Sequence, residues 1–170
     1  HMEQLGFPGG GWKTVFHSLE LPGEQGLEEI EFLVKTNPGE PFLPLIKIAS
    51  GGEVSRMMLA IKSVFSRCDT VDILIFDEID AGIGGMLAKQ VAEALCALSA
   101  SHQVLCISHL HQIASRADHH YHVFKHEKEG RTVSDVRELG KEEKIAEIAR
   151  MLGSESELSR KHAREMLKDR

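Results

Sequence analysis

The chain has 170 residues, 42% of them apolar, and carries twenty Lys and Arg against twenty-six Asp and Glu for a formal net charge of −6. That length and apolar share suffice for one domain with a sizeable core, and no stretch is long or apolar enough to cross a bilayer. The acidic balance argues against a dedicated nucleic-acid-binding face, so any DNA contact must be local or lie elsewhere.

His1-Met2 reads as a remnant of a cloning site, outside the fold argument, and the absence of a signal-peptide pattern makes a cytoplasmic protein the expectation. Gly6 to Gly11 is a glycine-rich turn. Thr14 to Leu19 and Leu27 to Val34 alternate as strands, and with Pro22-Gly23 between them they predict an antiparallel hairpin. Asn37-Pro38-Gly39 signals a turn, and Pro41 and Pro44 keep the chain extended beyond it.

Ser50 and Glu53 form an S-x-x-E window, in which the hydroxyl caps the third helical amide and the carboxylate reaches back to the cap's own amide. A helix is predicted over Gly51 to Phe65, with Val54, Met57, Met58, Ile61, Val64 and Phe65 as one buried stripe. Gly51 and Gly52 in its first turn have no side chain to keep an anion from the unpaired amides. Arg56 falls on the polar side, where a solvated charge is the common role and contact with nucleotide or a partner is the alternative.

Ile73 to Phe76 is a continuous apolar run, as a parallel strand buried on both faces requires, and it stops abruptly at Asp77 and Glu78. Two adjacent carboxylates at a strand's carboxyl end suit a ligand site. A helix from Gly84 to Leu98, with Leu87, Val91, Ala94 and Leu95 on one face, returns the chain by a right-handed crossover to a strand over Gln103 to Ile107. Ser108-His109 follow that strand.

Tyr121 to Lys125 and Arg131 to Arg137 predict a second hairpin. Two helices end the chain: Ile145, Ile148, Ala149 and Leu152 stripe the first, Gly153 stops it, and Ser154 to Glu157 offers a capping box to the second. His111, His119, His120, His122 and His126 invite a metal reading, but no nearby cysteines or spaced acids complete a closed zinc site. Cys68, Cys96 and Cys106 have no metal-like spacing and read as buried, reduced thiols.

A capped glycine turn, one helix, a buried strand ending in Asp-Glu, then a histidine after the next strand: this order resembles the second half of an ABC-type ATPase head. Ala49 to Glu53 resembles the signature motif, Ile73 to Glu78 Walker B, Asp80 to Gly82 the D-loop, and His109 the switch histidine. The stretches TNPGEP at Thr36 to Pro41, PLIKIASGGEVSRMMLAIK, IFDEIDAGIGG, ISHLHQIASRADHHYHVFK and IAEIARMLG narrow the resemblance to the RecN family of bacterial SMC-like DNA-repair proteins. The signature begins with Ala49 rather than the usual leucine, and no G-x-x-x-x-G-K-[ST] loop occurs in the chain.

The resemblance implies an α/β fold: part of an ABC-ATPase head, with a mostly parallel sheet flanked by helices and a small antiparallel hairpin region. It implies ATP and Mg²⁺, with Asp77 holding the metal, Glu78 activating water and His109 touching the γ-phosphate. Ser50, Gly51, Gly52 and Glu53 would meet the nucleotide of a second, identical head, and Asp80 would lie at that interface. The implied partners are the amino-terminal half of the same head, the second head, and DNA through a nucleoid-associated parent protein; no membrane is involved. Without its missing neighbour, Gln103 to Ile107 is expected either to take His119 to Lys125 directly alongside or to be covered by another chain.

Overall fold

The computed structural model describes residues 1–24, 26–48, 50–66 and 68–168. The fold is α/β, and the chain forms two compact units, His1–Ile107 and Ser108–Arg170.

The first unit opens with a 3-10 turn, Glu3–Leu5, and the glycine-rich stretch after it contributes to the core: Leu5 and Phe7 are 2% and 1% exposed. Gly6 sits at φ 93°, a left-handed conformation that favours glycine, and a Cβ there would displace the tip of Leu87, 2.7 Å away. Strands β1 (Gly11–Gly23) and β2 (Gly26–Lys35) form the predicted hairpin, in register from Gly11↔Lys35 to Ser18↔Glu28. A short β3 (Leu43–Pro44) extends this sheet along β2. Alternation puts Trp12, Phe16, Ile30 and Phe32 on one face, where the rings of Trp12 and Phe32 are 5.0 Å apart.

Helix α1 (Gly51–Phe65) has the bounds read from the sequence, but its buried face is turned from the expected stripe. Arg56, Met57, Leu59 and Ala60 are buried, whereas Val64 and Phe65 are 61% and 59% exposed. Val64 and Phe65 fall on the side of the last turn that faces away from α2, whereas Ser63 faces the same cavity as Leu98. Met57 and Leu59, both fully buried, stabilise the unit by about 1.5–3 kcal/mol each.

Strand β4 (Ile73–Phe76), helix α2 (Gly85–Leu98) and strand β5 (Gln103–Cys106) make the expected crossover. The two strands are parallel, Ile73↔Gln103 through Phe76↔Cys106. Burial on both faces of β4 does not occur, because the core of this unit lies on one side of the two-stranded sheet. Leu74 and Phe76 point into it, while Ile73 and Ile75 are 52% and 69% exposed. Helix α2 likewise buries Ala88, Val91, Ala92, Leu95 and Leu98, a face rotated from the one through Leu87 and Ala94.

One polar network at the far end of α1 was not foreseen. Lys62 Nζ donates to Asp69 Oδ2 at 2.5 Å, the buried His102 places Nε2 3.8 Å from the same oxygen, and Ser101 Oγ lies 2.8 Å from His102 Nδ1. It joins the end of α1, the approach to β4 and the start of β5.

The second unit contains α3 (His111–Ala114), strands β6 (Tyr121–Lys128) and β7 (Arg131–Glu138), and helices α4 (Lys141–Met151) and α5 (Glu157–Met166). β6 and β7 pair antiparallel from Tyr121↔Glu138 to Lys128↔Arg131. Their two-residue loop, Glu129-Gly130, has both φ values positive (52° and 72°), which matches the right-handed twist of the flanking strands. Among the described residues β5 pairs with β4 alone and β6 with β7 alone, so His119 to Lys125 does not close onto β5.

Helices α4 and α5 share an apolar cluster of Ile145, Ile148, Ala149 and Ala163. Gly153 ends α4 at φ 100°. The cap of α5 is Ser156, whose hydroxyl accepts from the Ser159 amide at 3.2 Å, two residues later than the Ser154 to Glu157 window. The Ser154 hydroxyl is held instead by those of Ser156 and Ser159, at 3.1 and 2.8 Å.

Candidate functional site

The first turn of α1 and the loop after β4 meet in the first unit. Ser50 has the extended conformation of a helix cap (φ −103°, ψ 125°), and its carbonyl accepts from the Val54 amide at 3.0 Å. Its hydroxyl makes no cap bond, so the box expected between Ser50 and Glu53 does not form. A Cβ on Gly51 would collide with the Glu78 carboxylate, and one on Gly52 would lie 2.9 Å from Glu78 O and Ala81 Cβ and 3.0 Å from Ala81 O. The two glycines therefore let α1 approach the 78–81 loop of its own chain.

Asp77 is exposed at the carboxyl end of β4, and its Oδ1 accepts from the Glu78 amide at 2.8 Å. Glu78 follows at φ 54°, a left-handed conformation that costs a non-glycine residue about 1 kcal/mol or more. Asp80 is 3% exposed, inside the unit, and the loop closes through Ala81 N to Glu78 O at 2.9 Å and Ile83 N to Asp80 O at 3.3 Å.

Sequence reasoning missed two residues that hold this loop. Ser55 Oγ donates to Asp77 O at 2.6 Å. Arg56 Nη1 donates to Ile79 O at 3.2 Å and to Ala81 O at 3.0 Å. Arg56 is not a solvated charge: it is 6% exposed, with its guanidinium carbon 5.9 Å from the centre of the Phe7 ring. Burial lowers its pKa and the Glu53 carboxylate opposes that shift, yet an arginine stays charged at physiological pH. Its signal in the sequence was spacing, since Gly51 and Ser55, and Gly52 and Arg56, each stand one turn apart on the same side of the helix.

Beside the loop, burial pushes the Cys106 thiol up to about 12, with the Asp80 and then the Asp77 carboxylate adding to the effect. Cys68 and Cys96 are exposed rather than buried, Cys96 because it falls on the outer side of α2. His109 belongs to the second unit, three residues past the end of β5, where the Leu110 amide donates to Ser108 Oγ at 3.1 Å. Of the five histidines that invited a metal reading, His111 starts α3, His119 and His120 precede β6, and His122 and His126 lie on β6; His119 pairs with Glu138 at 2.6 Å and His126 with Asp135 at 3.6 Å. Among the described residues no three His, Cys, Asp or Glu are grouped to hold a metal. Ala49, read as the first residue of the signature, lies outside the described residues.

Two exposed carboxylates at the end of β4 fit a hard divalent cation that draws its other oxygens from phosphate and water. The uncapped first turn of α1 leaves amide donors and a positive dipole end suited to an anion.

No family model matches the chain. Among curated proteins it is 51% identical over 146 residues to the DNA repair protein RecN of Halalkalibacterium halodurans and 50% identical over 147 residues to that of Bacillus subtilis. It is 47% identical over 167 residues to the RecN of Deinococcus radiodurans. These matches take in 85%, 85% and 98% of this chain but 26%, 26% and 29% of the relatives, so the chain spans little more than a quarter of their length. Among solved structures, the Smc head domain with a coiled coil and joint from Pyrococcus yayanosii matches with a TM-score of 0.61 at 24% identity, over 91% of this chain and 28% of that one. The SmcHead bound to the C-winged helix domain of ScpA matches with a TM-score of 0.53 at 26% identity, over 83% of this chain and 40% of that one. The fold is thus that of an SMC head, and over the part of their length that it spans the chain is similar in sequence to the RecN proteins.

Proposed function

We propose that the chain is the carboxyl-terminal part of an ATP-hydrolysing SMC-like head, whose parent couples ATP-driven association of two heads to repair of DNA breaks. The observation that carries this reading is the meeting of the α1 first turn with the Asp77-Glu78 loop, Gly51 against the Glu78 carboxylate. It joins an anion-binding helix end to a cation-binding carboxylate pair. The RecN relatives, which are named as DNA repair proteins, support the biological role.

Asp77 would supply a hard oxygen donor to Mg²⁺, and Glu78, in the left-handed conformation that turns it out of the strand line, would orient the attacking water and take its proton. Bound Mg²⁺ would neutralise charge developing on the phosphates. Ser50, Gly51, Gly52 and Glu53 would meet the γ-phosphate held by the opposite head, making the working site a sandwich. Asp80 would brace that interface from inside its own loop, and the resemblance in sequence gives His109, past the end of β5, the role of the histidine that senses the γ-phosphate. The loop that cradles the phosphates must come from the amino-terminal half of the head, because no G-x-x-x-x-G-K-[ST] sequence occurs in these 170 residues.

A non-catalytic head that only dimerises and tethers is the competing reading, and an ABC transporter subunit is a third. The test is a complete head carrying Glu78→Gln, in which the amide keeps the shape but cannot accept a proton. ATP should still bind, hydrolysis should fall to background, and ATP-bound dimers should persist. Ser50→Arg should leave binding to a single head intact and block dimerisation. Undiminished turnover in Glu78→Gln would remove the catalytic assignment, and ATP-dependent dimers of Ser50→Arg would remove the assignment in trans.

A further inference from the structure

The Asp77-to-Ala81 loop is held by side chains of α1 at three alternate carbonyls: Asp77 O by Ser55, and Ile79 O and Ala81 O by Arg56. All three acceptors are backbone atoms, so the grip fixes the path of the loop and leaves the carboxylates of Asp77 and Glu78 unneutralised. Between two held carbonyls stands Glu78 at φ 54°, a conformation that persists only when its surroundings over-determine it. Gly52 closes the remaining space, with the loop backbone 2.9 Å from where its Cβ would be. Helix α1 cannot slide along the loop without breaking these contacts.

Filling the space under α1 does not explain Arg56. A methionine would occupy a similar volume without burying a charge, and Arg56 Nε is buried with no hydrogen-bond partner. A guanidinium kept there at a desolvation cost is explained by its Nη1, whose two N–H groups hold two carbonyls of one loop. We propose that Arg56 and Ser55 are positioning residues that make α1 and the 77–81 loop one rigid body, so that docking of an anionic group at Ser50–Gly52 sets the position of Glu78 in the same chain. The inference rests on the reading of Glu78 as the base for phosphoryl transfer and adds the residues through which the helix end governs it. Within each head, engagement of the partner's nucleotide would thereby be reported to that head's own hydrolytic carboxylate.

The test uses Arg56→Met, Arg56→Lys and Ser55→Ala in a full-length protein containing this segment, with ATP affinity and turnover measured separately. Arg56→Met should hold ATP affinity within about twofold while kcat falls at least tenfold. Arg56→Lys, which keeps a charged donor on a shorter and differently shaped side chain, should recover part of kcat, and Ser55→Ala should lose about threefold. In the 170-residue chain, hydrogen exchange at the Ala81 and Ile83 amides should speed up in Arg56→Met, while the Gln103 and Ile107 amides, bonded to the strand β4 side, keep their protection. Unchanged kcat in both Arg56→Lys and Ser55→Ala would overturn the proposal. So would equal loss of protection at all four amides, which is the mark of general destabilisation. A full-length wild type that does not hydrolyse ATP would defeat the catalytic reading instead, and the exchange experiment would still decide whether Arg56 and Ser55 join the helix to the loop.

Discussion

The Glu78 carboxylate lies against Gly51 so closely that no side chain fits between them, whereas Gly52 is pressed by the backbone at Glu78 and Ala81. The two adjacent glycines should therefore respond differently to the same added methyl. Gly51→Ala meets only the end of a flexible side chain and gains helix propensity, so its stability should stay within about 1 kcal/mol of wild type while Glu78 is displaced. Gly52→Ala meets backbone that cannot swing aside and should cost about 1–3 kcal/mol. Urea unfolding of both variants decides this, and equal midpoints would mean that the helix and loop are not in close contact.

Much of the first unit was legible because its signals were local. The bounds of α1, the crossover from β4 through α2 to β5 and both hairpins follow from periodicity and turn residues. The direction each helix faces did not follow, since α1 presents Arg56 to the core and Val64 and Phe65 to solvent. The role of Arg56 was hidden because its partners are carbonyls more than twenty residues away, which carry no side-chain signature. Ser50 misled in the opposite sense: the capping pattern was present, but its hydroxyl makes no cap bond and leaves the first-turn amides open.

The three thiols should differ sharply in reactivity. Cys106, pushed up to about 12 by burial and by Asp80 and Asp77, holds about a thousandfold less thiolate near neutral pH than a cysteine at the ordinary value of 9.0. Cys68 and Cys96 are exposed. Iodoacetamide at pH 8 followed by peptide mapping should label Cys68 and Cys96 first and leave Cys106 unmodified until the chain is unfolded. Early labelling of Cys106 would contradict its placement beside the carboxylates.

Asp69 ties the end of α1 to the approach to β4, and its carboxyl is held below the ordinary value of 3.8, chiefly by the Lys62 hydrogen bond and next by the Val71 amide. A depressed folded-state pKa means that its stabilisation is complete above the unfolded value and is lost as the pH falls through the folded one. Asp69→Asn should accordingly unfold at lower urea than wild type at pH 7, and the two midpoints should converge as the pH is lowered beneath 3.8. A gap of constant size down to pH 2 would show that Asp69 acts through shape rather than charge.

The exposed face of the parallel pair sets the behaviour of the chain by itself. Ile73 and Ile75 on β4 and Leu105 on β5 are 52%, 69% and 45% exposed, Ile107 just beyond is 61% exposed, and β5 has β4 as its one strand neighbour among the described residues. An apolar face beside an open strand edge favours association, since both buried area and unmade backbone hydrogen bonds are recovered when another chain covers them. Burying the four side chains would contribute several kcal/mol, about 1.5–3 for each one fully covered. The 170-residue chain should therefore sediment with a mass that rises with concentration, and Ile75→Lys should hold it monomeric without altering the paired register of β4 and β5. Neither form should turn over ATP above background, while addition of the amino-terminal half of the head should both restore turnover and suppress self-association. A wild-type chain that stays monomeric at high concentration would show that this face tolerates water, and robust Mg-dependent turnover by that chain would show that its phosphate site is complete without the other half.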